Sequence, residues 1–261
     1  MTPSFEELLR SAVEQPGIIN GAYSAFHNYS FGNQLLAWAQ CAQRGIQPGP
    51  LATFPRWKAL GRYVRKGEKA ITLCQPVTVK RRGEQADADQ EQPEVFTRFV
   101  YKAHWFVASQ TEGQELPAAT LPTWDRTRAL ATLDIAEEPF TMLNGNVQGY
   151  ARQRTIAVSP VAALPVKTTF HEVAHVLLGH TTEGEQADSD VTPRSLREVE
   201  AECVAMLCCA ALDLPGIAEA RGYVQHWSGA GNPIPERSAQ RILKAADQIL
   251  KAGRETEVGA E

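Results

Sequence analysis

The string His171-Glu172-Val173-Ala174-His175 constrains this chain more than any other part of its sequence. Residues four apart lie on one face of a helix, so both imidazoles can point at the same metal ion. Zinc accepts two imidazoles and a carboxylate and leaves a fourth position for water. Glu172 stands beside the first histidine, where it can take a proton from that water. We therefore predict His171 and His175 as metal ligands and Glu172 as the general base.

The neighbours of this string predict a buried helix, because they are apolar: Phe170, Val173, Ala174, Val176, Leu177 and Leu178. Burying two histidines and a glutamate without partners in such a helix would be costly, and a bound metal ion removes that cost. Gly179 is expected to end the helix as a C-cap residue. The alternative interpretation is a pair of hydrogen-bonded core histidines next to a surface glutamate.

A third ligand is expected from a second helix within residues 195–212, which are nearly all apolar after the first turns. Ser195 and Glu198 have the spacing of a capping box. Glu198 and Glu202 share a helix face, whereas Glu200 is turned about 200° away from Glu198. We predict Glu198 as the third ligand and Glu202 as a hydrogen-bond partner for the outer nitrogen of a ligand histidine. The alternative is a solvated acidic first turn, which suits Glu200 best.

Two other groups of potential ligands are weaker. His180 follows His171 by nine residues, which is about 180° round an ideal helix and beyond the expected cap, so we do not predict it as a ligand. Cys203, Cys208 and Cys209 lie in the second helix without a Cys-x-x-Cys spacing. They are expected to be small core residues.

The composition is that of an ordinary globular protein. Its 261 residues suffice for one large domain or two modest ones. No apolar run approaches about 18 residues, so no membrane span is expected, and the N-terminus lacks the features of a signal peptide. Five cysteines without a framework spacing indicate a reducing, cytoplasmic setting.

The first half of the chain is basic and aromatic. Residues 44–82 hold ten basic residues and one acidic residue, Glu68, a local net charge of +9. Cations that meet phosphates and rings that stack on unpaired bases are what single-stranded nucleic acid needs. The alternative is a solvated charged face over core aromatics, and Phe31 does fit a buried helical stripe. The predicted contacts to single-stranded DNA are Tyr29, Phe31, Trp57, Lys58, Arg62, Arg65, Lys66, Lys69, Lys80, Arg81 and Arg82.

The pattern of elements predicts an α+β fold with two domains. We place an N-terminal α+β domain at residues 1–113, a linker at 114–125, a mostly helical domain with a small sheet at 126–252 and a frayed tail at 253–261. Residues 83–93 are acidic and polar and predict a hairpin loop. Helices are expected from Ser4, at 31–43, 127–133, 221–227 and 236–251, and strands at 70–79, 96–107 and 155–158.

With these residues in place, the chain resembles the ArdC family of plasmid-borne antirestriction proteins. The matching motifs are Tyr29-Ser-Phe-x-Asn33, the segment from Trp57 to Lys69, the His171 string, Glu198-x-x-Ala-Glu202 and Tyr223-x-x-x-Trp227. The resemblance implies an N-terminal single-stranded-DNA-binding domain and a C-terminal zincin-like metallopeptidase domain, the latter also similar to the ImmA/IrrE group. It implies His171, His175 and Glu198 as metal residues with Glu172 as base. Asn33, from the first motif, joins the predicted DNA contacts.

The expected function is therefore DNA binding combined with zinc-dependent peptide hydrolysis, in the protection of incoming mobile-element DNA. Zinc is the expected cofactor, with Mn²⁺ or another divalent ion as the alternative, and the partners are single-stranded DNA and a protein substrate. Tyr223 and His226 are candidates to stabilise the oxyanion, and strand 155–158 to pair with an extended substrate. Two alternatives stay open: a non-catalytic DNA-coating protein with a structural or regulatory zinc, and a metal-dependent nuclease.

Overall fold

A computed structural model describes residues 3–80, 95–117, 120–142, 146–181, 194–229 and 231–255. By their contacts the residues form two units: a large unit, Met1–Trp38 with Ala118–Glu261, and a small unit, Ala39–Pro117. The predicted loop at 83–93, the predicted contacts Arg81 and Arg82, and most of the predicted tail lie outside the described residues, as does the side chain of Lys80.

Nine helices are present among the described residues: α1 Phe5–Glu14, α2 Ile18–Phe26, α3 Phe31–Arg44, α4 Phe54–Ala59, α5 Arg126–Thr132, α6 Pro165–Leu177, α7 Arg194–Ala211, α8 Ile217–Gly229 and α9 Glu236–Ala252. The strands are β1 Leu51–Thr53, β2 Arg62–Val64, β3 Ile71–Lys80, β4 Val95–Val107, β5 Thr111–Gly113, β6 Ala136–Glu137, β7 Gly149–Arg152 and β8 Thr155–Val158. The α+β class is therefore confirmed. Helices α2 and α4 were not predicted. No helix in the described part of the chain combines the length and apolarity that crossing a bilayer requires.

Helix α7 is the centre of the large unit. Every residue from 199 to 211 is buried, and the helix packs against α2, α6, α8 and α9. Cys203, Cys208 and Cys209 are fully buried in it, which confirms their prediction as core residues. The string His171–His175 on α6 thus lies against the most buried helix of the unit.

Helix α1 shows why the large unit includes the N-terminus. Ser4 and Glu7 form the expected capping box, with Ser4 Oγ accepting from the Glu7 amide at 3.1 Å. The buried face of α1 packs against α8 and α9, and the Glu236 carboxylate of α9 accepts from the amides of Phe5 and Glu6. This grouping differs from the predicted domain at residues 1–113, because an apolar helix face does not specify which partner covers it.

The small sheet of the large unit has the order β6-β8-β7. Strand β8 was predicted at 155–158 and lies in the middle, parallel to β6 and antiparallel to β7. A central strand has both edges paired, so the expected pairing of a substrate with β8 is wrong. The strand beside α6 with only one paired edge among the described residues is β7.

The small unit is built on an antiparallel sheet of order β1-β4-β3, with a two-stranded sheet of β2 and β5. The strands predicted at 70–79 and 96–107 correspond to β3 and β4, and every residue of β3 pairs with β4, with one register shift between Ile71 and Thr72. Trp57 of α4 is 1% exposed, and its indole Nε1 donates to the Phe106 carbonyl at 2.8 Å. The unit therefore has its own core beneath α4 and β4.

Candidate metal centre

Helix α6 holds the two predicted histidine ligands and ends in a Schellman turn. The amide of Gly179 donates to the Val176 carbonyl at 3.1 Å, and the amide of His180 donates to the His175 carbonyl at 2.9 Å. Gly179 has φ +71°, the left-handed conformation that this turn requires and that glycine adopts without strain. The expected C-cap is present, and the turn brings His180 back toward the helix.

The three predicted ligands come together between α6 and α7. The Nε2 atoms of His171 and His175 are 3.1 Å apart, and Oε2 of Glu198 lies 3.5 Å and 3.7 Å from them. Ligand atoms on a tetrahedral ion with bonds of about 2.0 Å are separated by roughly 3.3 Å. The trio therefore fits a zinc-sized ion and leaves one position of the tetrahedron to a non-protein ligand. Ser195, the expected N-cap of α7, lies inside the helix instead.

His171 and Glu198 stabilise each other's charged forms. Burial lowers the pKa of His171, but its hydrogen bonds to Glu198 and Glu202 outweigh burial and raise that pKa to about 9. Contacts with His171 and His175 hold the pKa of Glu198 far below its ordinary value. The site therefore presents an ionised carboxylate to His171, whose extra proton a bound metal ion would displace.

Glu202 lies on the outer side of His171, as its predicted role requires. Its Oε2 is 3.1 Å from Nδ1 of His171, and its Oε1 is 2.5 Å from Nζ of Lys167. Burial opposes its ionisation, yet the contacts with His171 and Lys167 keep the pKa of Glu202 below its ordinary value. A carboxylate on Nδ1 leaves Nε2 as the ligand atom.

His180 and Glu200 form a second outer contact that sequence reasoning missed. Nδ1 of His180 is 3.0 Å from Nδ1 of His175, and its Nε2 is 2.8 Å from Oε2 of Glu200. Glu200 is fully buried, so its interpretation as a solvated residue is wrong. The reason is that the face of α7 opposite Glu198 packs against α9, where Nη1 of Arg241 lies 3.6 Å from Oε1 of Glu200. The sequence feature that could have indicated this contact is the position of His180 directly after the C-cap glycine, Gly179, where a Schellman turn directs the chain back toward the helix.

Glu172 is buried beside the trio and faces β7. Burial raises the pKa of its carboxyl group, and the charge of Glu198 adds to this effect, although the neighbouring histidines oppose it. A methyl group placed on Gly149 would lie 2.9 Å from Oε1 of Glu172 and 2.7 Å from Cγ2 of Thr168. The carboxylate thus occupies space that only glycine leaves open in β7.

The two oxyanion candidates lie on α8. Tyr223 is 47% exposed, so it is not a core residue, and its pKa is raised by burial and by the charges of Glu198 and Glu202. His226 is exposed on the same helix. Tyr223 is therefore within the electrostatic reach of the carboxylates of the site.

The predicted DNA contacts are divided between the two units. Phe31 and Trp57 are each 1% exposed, a correction to their predicted role, since a buried ring offers no face to a base. Tyr29 and Asn33 are half-buried in the large unit with Phe31. The predicted DNA contacts whose described side chains are exposed in the small unit are Lys58, Arg65, Lys66 and Lys69.

Arg62 has a structural role that its predicted DNA contact did not include. Its Nε donates to Thr111 Oγ1 at 2.8 Å and its Nη2 donates to the Thr111 carbonyl at 3.0 Å. A further bond reaches the Gln114 carbonyl. The guanidinium therefore joins β2 to β5 and is committed to the fold, which corrects its prediction as a phosphate contact.

Among the described Phe and Tyr side chains of the small unit, four are exposed: Phe54 at 50%, Tyr63 at 55%, Phe99 at 67% and Tyr101 at 47%. Phe99 and Tyr101 are two apart in β4 and thus share one face of that strand. Exposed Arg98 and Lys102 flank them in the same strand. The sequence analysis did not predict Phe99 and Tyr101 as contacts, because the sequence of a strand of mixed composition does not show which of its aromatic side chains are buried by other elements.

Comparison with known proteins gives a consistent result. Residues 11–106 match the family model for the N-terminal domain of anti-restriction factor ArdC. Two crystal structures of the antirestriction ArdC protein from plasmid R388 are similar to this chain. The metal-free one has 23% identity, covers 95% of this chain and 93% of its own, and has a TM-score of 0.55. The Mn(II)-bound one has 22% identity, coverage of 95% and 96%, and a TM-score of 0.54. No curated protein matches the chain.

Proposed function

We propose that the chain is an antirestriction protein of the ArdC family and that it combines two activities; the match of residues 11–106 to the ArdC N-terminal domain and the fold shared with the R388 protein support this. The large unit hydrolyses peptide bonds at a divalent metal site. The small unit binds single-stranded DNA, so that the protein acts where incoming DNA is present.

The observation that carries the first activity is the trio of ligand atoms with Glu172 beside it. Two imidazoles and one carboxylate favour zinc. The R388 protein has a structure with Mn(II) bound, which supports manganese as the alternative ion. A divalent ion held by His171, His175 and Glu198 would acidify a water molecule and polarise a carbonyl group.

The other residues of the site have separate tasks. Glu172 accepts the proton of the attacking water and returns it to the leaving nitrogen, a role that its raised pKa favours. Tyr223 keeps its hydroxyl proton at neutral pH, because its pKa is raised, and donates to the developing oxyanion. The edge of β7 that has no partner strand within the described parts of the chain aligns an extended peptide by backbone hydrogen bonds.

Two measurements test this activity. Metal analysis of the purified chain is expected to find one divalent ion, which His175→Ala loses. Glu172→Gln is expected to keep the ion and to lose cleavage of a fluorescent casein substrate. A chain that holds no metal, or a Glu172→Gln variant that cleaves as fast as the parent, would refute the proposal. DNA protection that persists in Glu172→Gln would assign the protection to binding alone.

The second activity rests on exposed cations and rings in the small unit. Lys66 and Lys69 are exposed and available to phosphates, and Phe99 and Tyr101 offer ring faces. Stacking of a base on an aromatic side chain contributes roughly 1–3 kcal/mol. The small unit therefore holds both components that sequence-tolerant binding of single strands needs.

Titration into labelled single- and double-stranded oligonucleotides at two salt concentrations tests the DNA proposal. Single strands are expected to bind more tightly, and Phe99→Ala with Tyr101→Ala is expected to reduce that preference. Lys66→Ala with Lys69→Ala is expected to weaken binding to all sequences and to flatten its salt dependence. Leu60→Ala, which removes an exposed aliphatic side chain from the same unit, is the control. Equal affinity for both DNA forms would contradict stacking.

A further inference from the structure

The contacts of His175 continue beyond its ligand nitrogen. Its Nδ1 lies 3.0 Å from Nδ1 of His180, and Nε2 of His180 lies 2.8 Å from Oε2 of Glu200. Only one proton fits between two ring nitrogens at this distance. If Nε2 of His175 faces a metal ion, its Nδ1 carries the proton and donates it to His180. The Nε2–H of His180 then donates to Glu200, and each of these atoms has a single role.

We propose that His180, held by Glu200, is a positioning residue that fixes the tautomer and ring orientation of His175 for metal binding. This inference rests on the proposed metal site of the large unit. The side chain of His180 is 4% exposed and that of Glu200 is fully buried. Neither contact therefore competes with water.

The burial of Glu200 supports a role other than fold stability. Its Oε1 has no hydrogen-bond partner among the described residues and lies 3.6 Å from Nη1 of Arg241. Burial opposes ionisation of the carboxylate, while His180 and Ser238 hydrogen-bond to it and lower its pKa. A buried ion pair is often no more stabilising than well-packed apolar residues in place of both partners, so its presence is weak evidence for a role in stability alone. What the carboxylate supplies, and an apolar residue does not, is an acceptor for the ring of His180.

The two ligand histidines thus receive different support from one helix. Glu202 contacts Nδ1 of His171 directly, whereas Glu200 reaches Nδ1 of His175 through His180. Glu198 lies on the ligand side of both rings. Three glutamates at alternate positions of α7 therefore have three tasks in the same site.

Zinc affinity, measured by competition with a chelator on folded protein, tests the proposal. His180→Phe is expected to weaken zinc binding by about 10–100-fold, the usual cost of losing an outer partner. His180→Asn is expected to lose less, because its Oδ1 replaces Nδ1 as the acceptor for His175. His104→Ala, which removes an exposed histidine of the small unit, is the matched control and is expected to bind as the parent does.

A spectroscopic readout follows the proton itself. In the cobalt-substituted protein, the Nδ1 proton of His175 is expected to give a shifted resonance that exchanges slowly with water. The resonance is expected to be lost by rapid exchange in His180→Phe and to persist in His180→Asn. A resonance unchanged in His180→Phe would overturn the proposal.

A second variant separates positioning from folding. Glu200→Met is expected to weaken zinc binding and also to lower the unfolding free energy, because His180 and Arg241 lose their buried partner, so both quantities are measured under conditions in which the variant is folded. If His180→Phe does not fold, the zinc affinity of Glu200→Met tests the positioning role of His180 in its place. Zinc binding at the parental level in Glu200→Met and His180→Phe would overturn the positioning role while leaving the metal site intact. A parent chain that binds no zinc would overturn the proposed function and this inference together.

Discussion

Glu202 lies between two side chains of α6, with Oε2 3.1 Å from Nδ1 of His171 and Oε1 2.5 Å from Nζ of Lys167. We expect Glu202→Gln to weaken zinc binding by about tenfold, because a neutral amide supports the ligand imidazole less than a carboxylate does. Lys167→Met should have a smaller effect, since it leaves the carboxylate on the ring. Chelator competition measures both, and equal losses in the two variants would contradict this order.

The metal-free fold and metal binding should respond to pH in opposite directions. The pKa of His171 is raised to about 9, above an ordinary value of about 6.5. A raised histidine pKa stabilises the metal-free fold below about pH 6.5, and this contribution is lost as the pH rises through about 9. Zinc binds the neutral imidazole, so its apparent affinity should increase over the same interval. Thermal unfolding of metal-free protein and chelator competition across this pH range measure the two trends. Stability and zinc affinity that change in the same direction with pH would contradict this prediction.

Gly149→Ala should impair turnover without removing the metal ligands. The added methyl would press on Oε1 of Glu172 and Cγ2 of Thr168 and displace the base. A displacement of about 1 Å in a catalytic group costs up to about 100-fold in rate. Thr168→Ser removes the crowded methyl and should restore part of the rate in the double variant. Steady-state cleavage with metal analysis tests this, and parental kcat in Gly149→Ala would disprove it.

Trp57→Ala and Phe99→Ala should separate stability from DNA binding in the small unit. Trp57 is buried and hydrogen-bonded to Phe106, so its truncation should cost about 3–5 kcal/mol of unfolding free energy. Phe99 is 67% exposed, so its truncation should leave stability nearly unchanged and weaken binding to single strands. Denaturant unfolding and oligonucleotide titration provide the two readouts. A loss of unfolding free energy in Phe99→Ala equal to that in Trp57→Ala would show that Phe99 is a core residue and not part of a DNA-binding surface.

The sequence predicts the metal trio because helical spacing alone determines which residues share a face. His171 with His175, and Glu198 with Glu202, are each one turn apart within a helix. His180 was not predicted because it lies after the helix, where the Schellman turn rather than the helical period sets its direction. Local periodicity thus specifies ligands on helices but not a partner placed by a reversal of the chain.

Burial of single residues and the grouping of elements were less accessible to sequence analysis. A helix carries an apolar face whatever covers it, so the packing of α1 against α8 and α9 could not be predicted. Phe31 and Trp57 were predicted to stack on bases, although Phe31 also fitted a helical stripe, and both are core residues. An aromatic residue in a basic segment is equally compatible with a core and with a binding face, and only tertiary contacts distinguish them.

The left-handed turn at Gly179 determines how much of the sequence encodes the site. His180 returns to His175 only because the helix ends at Leu177, three residues earlier. One residue inserted between them would turn the cap by about 100° and carry His180 away from the ring. The α6 part of the site is therefore encoded by the ten residues from His171 to His180, not only by the first five. A search pattern limited to these first five residues retrieves the two histidine ligands and the base without the residue proposed to orient His175.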